Sequence, residues 1–221
     1  FLAERHPIVV TGTHGKTTNT SLVSWLLEGN NGGPGFLIGG IPENFGRSFQ
    51  LGTGDCFVVE GDEYDTAYFD KNPKFLHYRP KTAIMTSIEF DHADIYRDLD
   101  HVISSFDRFV RILPDDGLLA VCGEEELPVE VAKACPGTVH TYGFSKHHDW
   151  RAMNPRPDKG GYRFDLESPL GSLRDIWSPM TGRHNVLNTL GAFAAVTRQG
   201  YSLERVAEAL EKFEGVGKRQ E

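Results

Sequence analysis

The run Val9-Val10-Thr11-Gly12-Thr13-His14-Gly15-Lys16-Thr17-Thr18 carries residue types suited to holding a nucleotide phosphate. Ile8 to Val10 is apolar and reads as a short buried strand, and Thr18 to Leu27 resumes with spacing suited to a helix. Between them lies a small turn with Gly12 and Gly15. A strand, a tight turn and a helix N-terminus make an anion site from backbone alone. The first helical N–H groups lack intrahelical partners, and the helix dipole puts its positive end there. Lys16 adds a mobile positive charge, and the Thr17 hydroxyl is placed to ligate Mg²⁺. The spacing departs from the common P-loop: Val10 stands five residues before Gly15, and the other glycine is Gly12, so the loop is a shorter variant. The bland alternative is an ordinary glycine-containing turn, which Gly-Lys-Thr directly after a buried strand disfavours.

Two acidic clusters follow apolar runs. Cys56 to Val59 ends in Glu60-Gly61-Asp62-Glu63-Tyr64-Asp65, and Thr82 to Ile88 ends in Glu89-Phe90-Asp91-His92-Ala93-Asp94. Continuous apolar strands separated by helical stretches predict a parallel sheet covered on both faces, with ligands bound beyond the carboxyl ends of the strands. Both clusters then fall on the rim that carries the phosphate loop. Bound to nucleotide, Mg²⁺ prefers hard oxygens and keeps several waters, so Thr17 and one carboxylate suffice. Glu60 is well placed for this, the alternative being a solvated loop-end carboxylate. Asp62, Glu63 and Asp65 stay ambiguous between ligand, cap and solvated charge. His92 could ligate a second divalent ion as neutral imidazole, with Asp91 orienting it, but a lone loop histidine can equally be structural. His6, His14, His77, His101, His140, His147 and His148 receive no role from spacing. His184 lies beside Asn185 and Asn188 at a helix start, where a cap is the default reading of Asn185.

The remaining elements must hold these residues. A flexible connection over 29–35 leads to a short strand at Phe36 to Ile38. The glycines of 39–46 permit close backbone approach to a ligand or form a plain surface turn. Leu99 to Leu113 is an amphipathic helix stopped by Pro114; a strand follows at Gly117 to Val121, then a short helix at Leu127 to Ala134 and a strand at Thr138 to Phe144. Alternating segments between Asp149 and Met180 predict a small antiparallel subsheet, and helices follow at Asn185 to Gln199 and Leu203 to Phe213. The expected class is α/β, a P-loop type, mostly parallel sheet flanked by helices.

The chain of 221 residues is 39% hydrophobic and 24% charged, an ordinary globular composition. Its 23 basic against 31 acidic residues give −8, which argues against a general nucleic-acid binder. Three scattered cysteines, Cys56, Cys122 and Cys135, show no metal-ligand spacing and read as reduced thiols of a cytosolic protein. No apolar run reaches membrane-spanning length. Only seven residues precede the first strand, and the chain stops in a polar run, so an excised domain is expected.

Thr11 to Thr18, Glu60-Gly61-Asp62-Glu63, Glu89-Phe90-Asp91-His92 and Gly182-Arg183-His184-Asn185-Val186-Leu187-Asn188 resemble the motifs of the Mur ligases, in the family's order across nearly the whole chain. The resemblance implies a phosphate-binding set of Gly12, Thr13, Gly15, Lys16, Thr17 and Thr18. It gives Lys16 the β/γ-phosphates, Thr17 and Glu60 one Mg²⁺, and His92 a second. Asn185 and Asn188 would contact adenine, and Arg219, beside Lys218, a phosphate. Family architecture implies a central ATP-binding domain over 1–213 and a linker from 214 to a C-terminal domain, with a UDP-sugar domain in front. Several relatives carry a carbamylated lysine after the metal-binding histidine, but no lysine occurs between His92 and Leu113. That lack is typical of the muramate-using branch. The stretches Glu63 to Lys71, His77-Tyr78-Arg79-Pro80 and Gly39 to Phe45 point to the members of that branch that act on a murein tripeptide. The implied reaction uses ATP to join L-Ala-γ-D-Glu-meso-diaminopimelate to UDP-N-acetylmuramate through an acyl phosphate. L-alanine as acceptor, or a nucleotide-sensing P-loop domain without ligase chemistry, are the competing readings; a folylpolyglutamate synthase fits the Gly182 to Asn188 motif poorly.

Overall fold

The computed structural model describes residues 2–62, 65–67, 70–89 and 98–217. In chain order the elements are β1 (His6–Thr11), α1 (Lys16–Glu28), β2 (Gly35–Leu37), β3 (Phe49–Gln50), β4 (Cys56–Glu60), β5 (Asp65–Ala67), β6 (Asp70–Pro73), β7 (Thr82–Met85), α2 (Leu99–Arg111), β8 (Leu118–Cys122), α3 (Glu126–Ala132), β9 (Thr138–Gly143), β10 (Trp150–Asp158), β11 (Gly161–Ser168), β12 (Gly171–Ser178), α4 (Arg183–Thr197) and α5 (Leu203–Leu210). One sheet runs β12-β11-β10-β9-β8-β7-β1-β4-β2-β3, and β5 and β6 form a separate pair.

From β2 to β10 the pairings within this sheet are parallel. The sequence dictates this, because the central strands are apolar at successive positions and need cover on both faces. Ile8, Val10, Val58, Ile84 and Ala120 face the core under α1, α4 and α5. Their neighbours Val9, Phe57, Val59, Ala83, Met85, Leu119 and Val121 pack instead with Phe106, Phe109 and Val110 of α2. A slip of one residue in any strand would exchange the two sets.

The expected α/β class is borne out, with differences in detail. The antiparallel strands β10, β11 and β12 extend the main sheet, since Trp150 and Arg151 pair in parallel with Tyr142 and Gly143 of β9. The strand expected to reach Ile88 ends at Met85, because Thr86 and Ser87 turn their polar groups onto the phosphate loop. Helix α1 starts at Lys16, earlier than its apolar spacing indicates, since Gly15 takes the left-handed cap conformation at φ 77. Among the described residues, no helix is long and apolar enough to cross a membrane.

Candidate functional site

The site grows from the carboxyl end of β1. Gly12 has φ 121, and a Cβ there would lie 2.8 Å from the Ser87 amide nitrogen and 2.9 Å from its carbonyl oxygen. Only glycine lets the loop run this close to the chain leaving β7. That chain clips the loop in place: Thr13 N donates to Ser87 O at 3.0 Å, Glu89 N to Thr13 Oγ1 at 2.9 Å, and Thr86 Oγ1 to His14 O at 2.6 Å. Gly15 then caps α1 without any side-chain bond, so the opening amides of the helix face the cleft. The Lys16 ammonium reaches back to Gly12 O at 2.8 Å, bridging the loop.

Glu60 ends β4, the parallel neighbour of β1, with Val10 opposite it in register. Thr17 Oγ1 donates to Glu60 Oε1 at 2.6 Å, and the Gly39 amide donates to Glu60 Oε2. Glu60 is only 9% exposed, so this carboxylate is held rather than waving in solvent. The Tyr78 phenol lies above its ordinary pKa through burial first, then through the nearby Asp62 and Glu60 carboxylates. Among the described residues no group of three or more His, Cys, Asp or Glu side chains could hold a metal. A hydroxyl and one carboxylate beside an anion-binding turn instead fit Mg²⁺ carried in on nucleotide phosphates. Thr13, His14, Gly15, Lys16, Thr17, Thr18, Glu60 and Asp62 line a cavity of about 370 Å³ there.

A second cavity of about 300 Å³ shares His14 and Gly15 with the first and runs between the ends of β8 and β9 and the start of α4. Tyr142, Cys122 and Leu187 give it apolar surface, and His184, Asn188, Glu89 and Glu124 give polar groups. Burial lifts the Cys122 thiol to about 11 and the Tyr142 phenol well above its ordinary range, so both are neutral near pH 7. The helix cap is not Asn185: Gly182, at φ 90, holds the cap position, and Asn185 sits in the first turn. Its amide donates to Thr181 O at 2.8 Å and accepts from Asn188 Nδ2 at 2.9 Å. Asn188 Oδ1 in turn accepts from Asn19 Nδ2 at 2.7 Å. This relay ties the start of α4 to α1 directly behind the phosphate loop.

The structure therefore brings together Gly12, Thr13, Gly15, Lys16, Thr17, Thr18, Glu60, Asn185 and Asn188. His92, its neighbour Asp91, Lys218 and Arg219 lie outside the described residues. Asn19, Ser87 and the Gly39 amide were not legible as site groups, since each acts through a neighbour that only the fold supplies.

The Mur ligase middle domain family matches residues 10–196. The chain is 39% identical over 223 residues to UDP-N-acetylmuramate–L-alanyl-γ-D-glutamyl-meso-2,6-diaminoheptandioate ligase of Haemophilus influenzae, covering 100% of this chain and 48% of that protein. It is 38% identical over 217 residues to UDP-N-acetylmuramate–L-alanine ligase of Legionella pneumophila, covering 97% of this chain and 45% of that protein. The structure of UDP-N-acetylmuramate:L-alanyl-γ-D-glutamyl-meso-diaminopimelate ligase from Neisseria meningitidis matches with a TM-score of 0.89 at 38% identity, over 98% of this chain and 68% of that one. The chain spans about half the length of the curated relatives it matches. By motif order, site geometry and a match over most of its length, the chain belongs to the Mur ligase family, through that family's middle domain.

Proposed function

We propose that this chain is the ATP-binding part of a ligase that joins L-alanyl-γ-D-glutamyl-meso-diaminopimelate to UDP-N-acetylmuramate. The lactyl carboxylate takes the γ-phosphoryl of ATP, releasing ADP and leaving an acyl phosphate. The tripeptide amine then attacks that carbonyl, forms the amide and releases phosphate. The observation that carries the reading is the Thr17–Glu60 pair at 2.6 Å beside the uncapped start of α1. Such chemistry needs charge neutralisation and alignment more than a protein nucleophile.

The opening amides of α1 and the Lys16 ammonium would bind the β/γ-phosphates, and the Asn188 cavity the base, with Asn185 in support. Thr17 and Glu60 would hold Mg²⁺, which when bound offsets charge on the transferred phosphoryl group. His92 is assigned to a second ion and Arg219 to a phosphate on family motifs alone. The family motifs and the match to the family's middle domain support a central domain over 1–213 and a linker from 214, between a UDP-sugar domain and a C-terminal domain. By itself the middle domain would not ligate, and the assembled enzyme would work in the cytoplasm.

The alternative acceptor is L-alanine, favoured by the near-equal identity to the Legionella enzyme. Phosphate release by the full-length protein with ATP, Mg²⁺ and UDP-N-acetylmuramate separates the readings. Turnover is expected with tripeptide and not with free L-alanine. Equal or better turnover with L-alanine would overturn the acceptor assignment, and no turnover with either would overturn ligase function.

A further inference from the structure

The loop 39–44 runs against the Thr17–Glu60 pair, and that loop is itself held from behind. The Gly39 amide donates to Glu60 Oε2. Gly40 is wedged between two methyl groups, since a Cβ there would lie 3.1 Å from Thr17 Cγ2 and 3.0 Å from Val216 Cγ1. Beyond it, the segment 212–217 lies along the loop like a short strand. Gly217 N donates to Ile41 O at 3.2 Å, Glu43 N donates to Gly215 O at 3.0 Å, and Pro42 and Val216 form an antiparallel bridge. Asn44 closes the arrangement with both ends of its amide: Nδ2 donates to Lys212 O at 2.9 Å, and Oδ1 accepts from Glu214 N at 2.8 Å.

A loop with adjacent glycines has little stiffness of its own. What fixes it is the segment after α5, and what it fixes is one oxygen of the carboxylate whose other oxygen bonds Thr17. We propose that Asn44 is a positioning residue for the nucleotide–metal site, clasping the 212–217 segment so that Gly39 stays on Glu60 and Val216 stays against Gly40. This rests on the reading of Thr17 and Glu60 as Mg²⁺ ligands. A group that orients a ligand from behind acts on metal affinity rather than on the phosphates directly. By reciprocity, metal-bound nucleotide tightens the clasp as much as the clasp tightens metal binding.

The test is calorimetric ADP binding to the full-length protein across a Mg²⁺ series and in EDTA. Asn44→Ala is expected to raise the Mg²⁺ concentration for half-maximal tightening about tenfold, with affinity in EDTA unchanged. Asn44→Asp, which keeps the acceptor for Glu214 N, is expected to lie between that variant and the parent. Mg·ADP, but not ADP in EDTA, should slow hydrogen exchange at the amides of Glu43, Glu214 and Gly217. If Asn44→Ala fails to fold, Val216→Ala removes the contact with Gly40 and should give the same Mg²⁺ shift. A Mg²⁺-dependent parent with an indifferent Asn44→Ala, or equal losses with and without Mg²⁺, overturns this proposal alone. A parent whose nucleotide binding ignores Mg²⁺ overturns the metal assignment as well.

Discussion

Thr17 and Glu60 meet at 2.6 Å although they belong to different elements, one in the first turn of α1 and the other at the last position of β4. Their contact depends on β1 and β4 being parallel and in register, so that both strands deliver their ends to one rim. The same contact gives Glu60→Gln a defined outcome. A glutamine keeps an oxygen for Thr17 or Gly39 and removes the negative charge. Folding stability should fall by about 1–2 kcal/mol, whereas the Mg²⁺ requirement for nucleotide binding should rise about tenfold or more. Thermal melting and a Mg²⁺ titration check the two halves separately.

Lys16→Ala isolates the charge proposed to answer the phosphates. In the fold the ammonium spans the loop to Gly12 O at 2.8 Å, an exchangeable bond at a partly buried position. Losing it should leave the melting temperature nearly unchanged. Losing its charge at a developing phosphoryl transition state should lower ligation by the full-length enzyme about 10²–10³-fold. Near-normal phosphate release would remove Lys16 from the mechanism.

Two positive-φ glycines, Gly12 between β1 and α1 and Gly46 between β2 and β3, differ in how closely other chain approaches them. Gly12→Ala meets the Ser87 backbone and is expected to lose about 3 kcal/mol or more, because neither chain can withdraw without breaking the clip. Gly46 also has a positive φ, 62, inside the left-handed region and with nothing within 4 Å, so Gly46→Ala should cost only about 1 kcal/mol. Denaturant melts of the two variants make the comparison. Equal losses would show that the Thr86–Ser87 clip is soft.

How much of this was legible in the sequence depended on range. Gly15-Lys16-Thr17 after an apolar strand announces the turn and helix start locally, and the place of Glu60 on the same rim follows once the strand before it is recognised. The boundaries of α1 and β7 were less legible, because Gly15 and Thr86 are governed by tertiary bonds and not by spacing. The default cap reading of Asn185 fails for a related reason: its partners Thr181 and Asn188 are near in sequence, but Gly182 takes the cap position. Asn19 had no signal at all. It is a polar residue on a helix buried nearly all round, and beyond a 3.4 Å contact to Gly15 O its amide gains its short 2.7 Å bond through the approach of α4.

His6 lies at the opposite end of the sheet and sets a pH dependence unrelated to catalysis. Its ring contacts Thr82 Oγ1 at 2.8 Å and Gln199 Nε2 at 3.3 Å. Burial, and then Lys81 and Arg198, lower its pKa from 6.5 to about 4. The unfolded chain therefore binds a proton at pH values where the folded one does not. Stability from this group is full above pH 6.5 and is lost as pH falls toward 4. His6→Gln should flatten the stability profile over that window, as read from urea midpoints; an unchanged slope would assign the loss to other groups.

Asn188 lines the second cavity and stands behind Gly15, which borders both, so its removal should discriminate between them. Its Oδ1 accepts from Asn19 and lies 3.1 Å from where a Cβ of Gly15 would stand, while its Nδ2 reaches Asn185. Asn188→Ala would leave Asn19 Nδ2 with only its 3.4 Å contact to Gly15 O, beside an Asn19 Oδ1 that is already buried without a partner. A loss of about 1–3 kcal/mol in stability is expected from those stranded groups. For binding, the side chain borders the cavity proposed for the base directly and touches the turn before α1 only through Gly15. ATP affinity should therefore fall about tenfold while affinity for inorganic tripolyphosphate changes little. Asn188→Asp should keep the bond from Asn19 but oppose two acceptors at Asn185, giving a base-side loss with a smaller stability cost. Parallel losses of ATP and tripolyphosphate binding in both variants would mean that the relay only braces α1 against α4.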